Sequence, residues 1–380
     1  MSHQVMTNGA EHEVHQLLRA AMKAGGFDAL VALSQDNVTY TAGFLVPSHS
    51  TNRFRRTITV LAGERFATQI VVNVEEKQAV ARSRFRDVRA YDQFDQEPAD
   101  VLADALIEAG VGSGRIAIEL DFMPARDFLR LRERLPKAVF EECRDLYFKA
   151  RMIKTDEEVA ILRQVGVLTE TVIRDGLAAI RVGMTEIDVA RVLVDRMIAG
   201  GSTNLKYRVG TGVNGSVTNC GTTNQKIEAG DVIRVEVLGD LDNYRSNVTR
   251  TAVAGKPAQR HREIWSKLIH ARDICKTLLR PDMPVADVYR RYVAECRGAG
   301  IEPTLKFLGH GIGQTIHEEP YVTETRDIVF QPNITFTMEP LYMVPGDSGY
   351  HTEDMYVITP QGFDNLTGRI SVNDELIEVG

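Results

Sequence analysis

The feature that most constrains the fold of this chain is the segment at residues 231–251, which reads DVIRVEVLGDLDNYRSNVTRT. Its first arm is rich in β-branched residues, a polar bend follows at residues 239–243, and residues 244–253 form a second arm, a pattern that predicts an antiparallel hairpin. Glu236 and Asn247 stand on opposite arms. A hairpin can bring two such side chains together on one face, as metal binding or proton transfer requires.

Three later regions also carry a histidine or an acid beside glycine or in an apolar strand. They are GHGIG at 309–313 with HEEP at 317–320, FTMEP at 336–340, and GYHTED at 349–354. The resulting order, hairpin pair, His310, Glu339 and Glu353, resembles the pita-bread superfamily, which includes methionine aminopeptidase, aminopeptidase P, prolidase and creatinase. The resemblance covers the whole chain. It implies an α+β fold in which a pita-bread catalytic domain follows a smaller α/β N-terminal domain of the creatinase type.

The chain length of 380 residues favours two domains. Thr155 and Glu158 form a capping-box pattern that opens a long helix, so we place the boundary near residue 150, with domains at 1–150 and 151–380. Periodicity also predicts helices at 12–24, 97–109, 123–135, 185–199, 259–279 and 285–299, and strands at 29–33, 56–61, 69–74 and 115–119.

Charge and cysteine spacing exclude several classes of function. The net charge is −7 and Lys and Arg form no concentrated stripe, so we expect no nucleic-acid partner. The four cysteines are too widely separated for a metal site of paired thiolates, and reduced thiols are expected. The chain shows no signal-peptide pattern and no apolar run of ~18 residues, so the sequence predicts a cytoplasmic protein without a membrane partner.

The resemblance also implies a set of ligands. Metal-dependent members of the superfamily hold two divalent ions with five side chains, and the matching positions here are Glu236, Asn247, His310, Glu339 and Glu353. The first two positions depart from the aspartates of the family. Because Asn247 is neutral, a normal dinuclear centre is not expected. We expect no cofactor, with a single divalent ion on His310, Glu339 and Glu353, joined or not by Glu236, as the alternative.

Proton transfer is expected to depend on other histidines. The loop at 212–219 ends at Asn219, where the family has a histidine, whereas His317 matches a second substrate-facing histidine. His351 offers a replacement proton carrier because an imidazole titrates near working pH. Tyr244 is a candidate substrate contact through its hydroxyl group.

A short match to creatinase concerns the N-terminal domain. In creatinase, an arginine of the partner subunit holds the substrate carboxylate, and Phe54 and Arg56 lie in a comparable context here. This match predicts a homodimer whose active site is completed by the N-terminal domain of the partner.

The leading hypothesis is a creatinase-like hydrolase that cleaves an amide or amidine C–N bond of a small charged metabolite. Its predicted catalytic residues are His310, His317, Glu339, His351 and Glu353, and its predicted substrate-binding residues are Phe54, Arg56, Asn219, Glu236, Tyr244 and Asn247. One alternative is a mononuclear, metal-dependent Xaa-Pro dipeptidase or aminopeptidase. A second alternative is a catalytically silent pita-bread protein that binds a ligand without turnover.

Overall fold

A computed structural model describes residues 12–52, 54–368 and 375–380. The chain divides into two compact units, Met1–Arg151 and Met152–Gly380. Helices and strands occur in both units, and the predicted α+β class is confirmed. Within the described residues, no helix is both long and apolar enough to cross a membrane.

The first unit is built on one six-stranded mixed sheet with the order β4-β3-β2-β1-β5-β6. Its helices are α1 (Glu13–Ala24), α2 (Gln35–Ala42), α3 (Pro47–Thr51), α4 (Glu76–Arg82), α5 (Pro98–Glu108), α6 (Ala125–Arg134) and α7 (Arg144–Met152). Its strands are β1 (Ala29–Ala32), β2 (Ile58–Ala62), β3 (Phe66–Val72), β4 (Asp87–Tyr91), β5 (Arg115–Ile118) and β6 (Val139–Glu142).

Strand β1 shows why helices cover both faces of this sheet. All four of its residues are buried apolar side chains, and successive side chains point to opposite faces. Leu30 packs with residues of α1 and α2, whereas Val31 packs with residues of α5 and α6. Burial on both faces stabilises the α/β arrangement that the sequence predicted for this unit.

Helix α2 was not predicted, because its residues, QDNVTYTA, have weak intrinsic helix propensity. A local N-cap and one tertiary contact stabilise its N-terminus instead. Ser34 Oγ accepts from the backbone N–H of Asn37, and the buried Glu119 carboxylate accepts from the N–H groups of Leu33 and Ser34. The carboxylate lies more than eighty positions away along the chain, so no local pattern could reveal it.

The second unit begins with α8 (Asp156–Ala179), whose predicted capping box is confirmed. Thr155 Oγ1 accepts from the backbone N–H of Glu158, and Glu158 Oε2 accepts from the N–H of Thr155. Its other helices are α9 (Glu186–Ala199), α10 (Gly212–Gly215), α11 (Gln259–Lys276) and α12 (Val285–Gly298).

The strands of the second unit form two main sheets, with orders β17-β11-β8-β7 and β12-β15-β16, and two small hairpins. They are β7 (Lys206–Thr211), β8 (Val232–Leu238), β9 (Asp240–Leu241), β10 (Tyr244–Arg245), β11 (Val248–Ala254), β12 (Thr335–Met338), β13 (Leu341–Val344), β14 (Ser348–His351), β15 (Asp354–Thr359), β16 (Gly362–Asn365) and β17 (Ile377–Val379).

The predicted hairpin is confirmed as β8 and β11, which pair antiparallel with Glu236 opposite Thr249. Two further backbone pairings connect the later motifs, the first to the hairpin sheet and the second to β12. Thr249 bridges to Glu353, and Gly311 bridges to Phe336 on β12. These links bring the separated motifs to one place, where the two main sheets of the unit meet.

Candidate active site

His310 is held in a tightly packed backbone segment between two glycines. A Cβ atom at Gly309 would lie 1.8 Å from the carbonyl oxygen of Thr337, and one at Gly311 would lie 2.3 Å from that of Glu319. Only glycine permits such a close approach of two backbone segments. The N–H of Thr337 donates to the carbonyl oxygen of His310 at 2.7 Å, which fixes the segment against β12.

The structure brings together His310, Glu339 and Glu353 from three separate segments. His310 Nε2 lies 3.3 Å from Glu339 Oε1 and 3.8 Å from Glu353 Oε1. One potential ligand atom from each of the three lies within 4.8 Å of the others, and all three residues are buried. A histidine and two carboxylates at this spacing match the ligand types of a divalent transition metal.

Hydrogen bonding fixes which nitrogen of His310 faces the two carboxyl groups. His310 Nδ1 lies 3.0 Å from the carbonyl oxygen of Gly311, so Nδ1 carries the proton and the Nε2 lone pair faces the two carboxylates. Across the described ranges, His310 Nε2, Glu339 Oε1, Glu353 Oε1 and Asn247 Oδ1 are buried without a hydrogen-bond partner. Four buried polar atoms without a hydrogen-bond partner are costly unless a cation binds them, so the residues fit a bound metal ion.

The pKa shifts follow from this crowding of buried acids. Burial, and then the charge of Glu236, raises the pKa of Glu353 to about 8. Burial and the neighbouring Glu353 raise the pKa of Glu339 well above its usual range. Burial, and then nearby His317, lowers the pKa of His310 to about 3, so its imidazole is neutral at pH 7 and able to act as a ligand.

The other two predicted histidines lie on different sides of the cluster. The His317 ring stacks on the His310 ring with centroids 3.7 Å apart, and His317 is exposed. Its pKa is lowered by partial removal from water and then by the charge of Arg208. His351 is buried on β14, with Nε2 3.6 Å from Glu339 Oε2, and burial holds its pKa well below the usual value.

Glu236 faces a different partner from the one that the family resemblance implied. Its Oε1 lies 2.5 Å from Arg208 Nη1, and Arg208 stands directly opposite it on β7. Burial raises the pKa of Glu236, and the charges of Arg208 and Arg234 lower it. The three-residue cluster does not include Glu236.

The remaining predicted site residues are distributed more widely. Asn247 is buried two residues before Thr249, on the hairpin face that carries Glu236. Asn219 is exposed in the segment that follows α10. Tyr244 is buried, and its hydroxyl donates to Glu158 Oε1 at 2.8 Å, near the start of α8. The predicted substrate contacts of these three residues stay predictions.

Phe54 and Arg56 belong to the first unit. Phe54 is 78% exposed. Arg56 Nε lies 2.9 Å from Asp127 Oδ2 on α6. Their predicted role in the site of a partner subunit stays a prediction.

Several residues at the site were missed by reasoning from sequence. Thr249 Oγ1 donates to Glu353 Oε2 at 3.1 Å and orients that carboxylate. Lys154 Nζ lies 3.0 Å from Glu318 Oε2 in a fully buried pair, and Glu318 also accepts from the N–H of Thr315, which fixes the loop between His310 and His317. Arg208 was not predicted as a site residue either, because only the register of β7 against β8 places it opposite Glu236.

Comparison with known proteins identifies both parts of the chain. Residues 160–360 match the profile described as metallopeptidase family M24, and residues 15–153 match the creatinase/prolidase N-terminal domain. The predicted pita-bread superfamily is therefore confirmed.

Individual relatives are named as peptidases. The chain is 30% identical over 284 residues to a probable dipeptidase PepE of Mycobacterium tuberculosis, covering 72% of this chain and 73% of the relative. It is 27% identical over 278 residues to an Xaa-Pro dipeptidase of Lactobacillus helveticus, covering 72% and 75%. The crystal structure of dipeptidase PepE from Mycobacterium ulcerans superposes with a TM-score of 0.84 and 26% identity, covering 96% of this chain and 97% of the other.

These findings correct two expectations from the sequence. The hypothesis of a creatinase-like hydrolase of non-peptide C–N bonds was wrong, because the relatives described above are named as dipeptidases and support the alternative, although the hydrolase class itself is supported. The expectation of no cofactor is not supported either. The matched family is one of metallopeptidases, and three buried ligand groups converge here. This chain belongs to metallopeptidase family M24.

Proposed function

We propose that the protein is a metal-dependent dipeptidase that hydrolyses dipeptides with proline in the second position. The observation that carries this proposal is the convergence of His310 Nε2, Glu339 Oε1 and Glu353 Oε1, which are buried without a hydrogen-bond partner among the described residues. Membership of the M24 family and relatives named as dipeptidases, one of them an Xaa-Pro dipeptidase, support the choice of substrate.

Polar groups at the open side of the site also support a small peptide with a free carboxylate. His317 is exposed, and 28% of the Arg208 side chain is accessible to solvent. Arg208 donates to Glu236 through Nη1, and the other N–H groups of its partly exposed guanidinium are suitable donors to a carboxylate. The carboxylate of a dipeptide is close to its scissile bond, so it can contact these residues while the bond lies at the metal site.

The chain's own residues perform the remaining steps of the proposed reaction. When bound by His310, Glu339 and Glu353, a divalent ion supplies Lewis-acid polarisation of the peptide carbonyl and lowers the pKa of water. Thr249 holds Glu353 in orientation through its hydroxyl group. His317 is neutral at pH 7 because its pKa is lowered, so its imidazole can accept a proton from the attacking water and donate it to the leaving nitrogen of proline.

The predicted homodimer belongs to the same proposal, with the exposed Phe54 and the neighbouring Arg56 offered to a second copy of the chain. A cytoplasmic location is also proposed, and the four free, buried cysteines support it because thiols stay reduced in the cytosol. Light scattering of the wild-type protein and of Phe54→Ser tests the dimer, which we expect to weaken in the variant. A monomeric wild-type protein would exclude a shared active site.

The test of the activity is a substrate panel with metal-stripped protein, reloaded separately with Mn²⁺, Co²⁺, Fe²⁺ and Zn²⁺. The panel pairs Ala-Pro and Leu-Pro with Ala-Leu and Leu-Ala, and adds the N-acetylated and C-amidated forms of Leu-Pro. We expect proline dipeptides to be hydrolysed only by reloaded protein and amidation to raise KM. Glu353→Gln serves as the matched inactive variant. Binding of Leu-Pro by reloaded protein without any product would refute the proposal and favour a silent binding protein.

A further inference from the structure

Arg208 is a strand residue whose guanidinium contacts Glu236, one of the buried acidic residues near His310. It lies on β7 directly opposite Glu236 on β8, and Glu236 in turn stands opposite Thr249 on β11. Directly opposed residues of antiparallel strands share one face of the sheet. Arg208, Glu236 and Thr249 therefore form a row that ends at the Glu353 carboxylate, to which Thr249 donates.

The pairing of Arg208 with Glu236 is close and largely shielded from water. Arg208 Nη1 lies 2.5 Å from Glu236 Oε1, and the two side chains are 28% and 9% exposed. A charge-assisted bond of this length compensates the negative charge of Glu236 within the protein itself. Glu236 therefore needs no further cation.

The rest of the acidic cluster contrasts with this pair. Glu339 Oε1 and Glu353 Oε1 are buried without a hydrogen-bond partner in the part of the chain that the structure describes, and they share His310 Nε2 as a neighbour. The acidic residues of the site thus differ in their partners. The guanidinium of Arg208 pairs with Glu236, whereas the Oε1 atoms of Glu339 and Glu353 are available to bind an ion.

We propose that Arg208 takes the place of a second cation in this site and thereby limits the centre to one divalent ion. This inference rests on the metal centre of the proposed function. A guanidinium fixed 2.5 Å from Glu236 both occupies the carboxylate and repels a second dication from it. The neutral amide of Asn247 acts in the same direction, because it withholds the charge that a second ion would require.

The test measures the number of ions bound per chain, which does not depend on turnover. Wild-type protein, Arg208→Met and the double variant Arg208→Met/Glu236→Gln are dialysed against saturating Mn²⁺ and analysed by mass spectrometry and titration calorimetry. Met keeps the length of the Arg stem without its charge. Arg163→Met is the matched control, because Arg163 pairs with Asp364 at 2.7 Å on the surface of the same unit.

We expect one ion per chain in the wild-type protein and in Arg163→Met, and two ions in Arg208→Met, with the second lost in the double variant. The second binding step is expected to be weaker than the first by about tenfold or more, because Asn247 contributes no charge. An unchanged count of one in Arg208→Met would overturn the inference. A second ion that is still bound by the double variant Arg208→Met/Glu236→Gln would also overturn it.

If Arg208→Met does not fold, a different variant can still test the inference. Glu236→Gln alone is expected to retain one ion per chain, because Glu236 is engaged by Arg208 and is not a ligand. Loss of that ion would show that Glu236 is a ligand and would overturn the inference. Dipeptide hydrolysis is a separate readout: a second ion in Arg208→Met supports the inference even if no dipeptide is hydrolysed, and an unchanged count overturns it even if dipeptides are.

Discussion

Replacing Glu353 by Gln is predicted to stabilise the metal-free protein while removing its affinity for metal. The pKa of Glu353 is raised from an ordinary 4.5 to about 8. At pH 7 the unfolded chain has released this proton and the folded site still holds it, so folding in the absence of metal is opposed by about 3 kcal/mol. Gln cannot ionise, its amide oxygen can still accept from Thr249, and its NH₂ group can face His310 Nε2.

The pH dependence gives this prediction a definite sign. Because the folded-state pKa is raised, the free-energy cost that Glu353 adds to folding is absent below pH 4.5, grows as the pH rises toward 8, and then levels off. The metal-free wild-type protein should therefore lose stability relative to Glu353→Gln between pH 5 and pH 8. Bound metal should reverse the order at pH 7, because it stabilises only the wild-type protein.

Urea unfolding in the presence of a chelator measures this difference. Trp265 is the single tryptophan and is buried in the second unit, so its fluorescence reports on the unit that carries the site. Glu263→Gln, at an exposed position on α11, is the control and should change the free energy of unfolding by less than about 0.5 kcal/mol. A metal-free Glu353→Gln protein that is equal to or less stable than the wild type at pH 7 would refute the reasoning.

Three other substitutions test separate parts of the site. Asn247→Asp adds a charged ligand beside the cluster and should lower the Kd of the first metal ion by about tenfold, measured by titration calorimetry; an unchanged Kd would place Asn247 outside the metal's reach. Lys154→Met removes the ammonium group that pairs with the buried Glu318 and should lower the free energy of unfolding by about 3–5 kcal/mol in urea, whereas a loss below about 1 kcal/mol would contradict the contact. His317→Gln should lower kcat on Leu-Pro about a hundredfold while metal content stays the same. In the wild type, the acid limb of the kcat profile should lie below pH 6.5, because the pKa of His317 is lowered, and a limb above that pH would point to another proton acceptor.

The error about function shows where reasoning from ligand types alone fails. Glu236 and Asn247 both depart from the aspartates of the family, and the loss of two ligand positions favoured chemistry without metal. The structure shows that the departure at Glu236 does not affect the other three candidate ligands. Glu236 is compensated by Arg208, while His310, Glu339 and Glu353 still converge with their lone pairs facing one another. The names of the relatives overturned the hypothesis, and Arg208, which no local pattern links to Glu236, provides a physical reason for the substitution at Glu236.

The sequence by itself determined the features that depend on adjacent residues. The hairpin at β8 and β11 and the capping box at Thr155 follow from local propensity and spacing, which are properties of short stretches of chain. Only the tertiary structure decided that Arg208 meets Glu236, because they are 28 positions apart and meet through the register of two strands. A shift of that register by one residue would turn the guanidinium to the opposite face. The order of the candidate site residues along the chain is therefore a property of the sequence, whereas the pairing of Glu236 with Arg208 is a property of the fold.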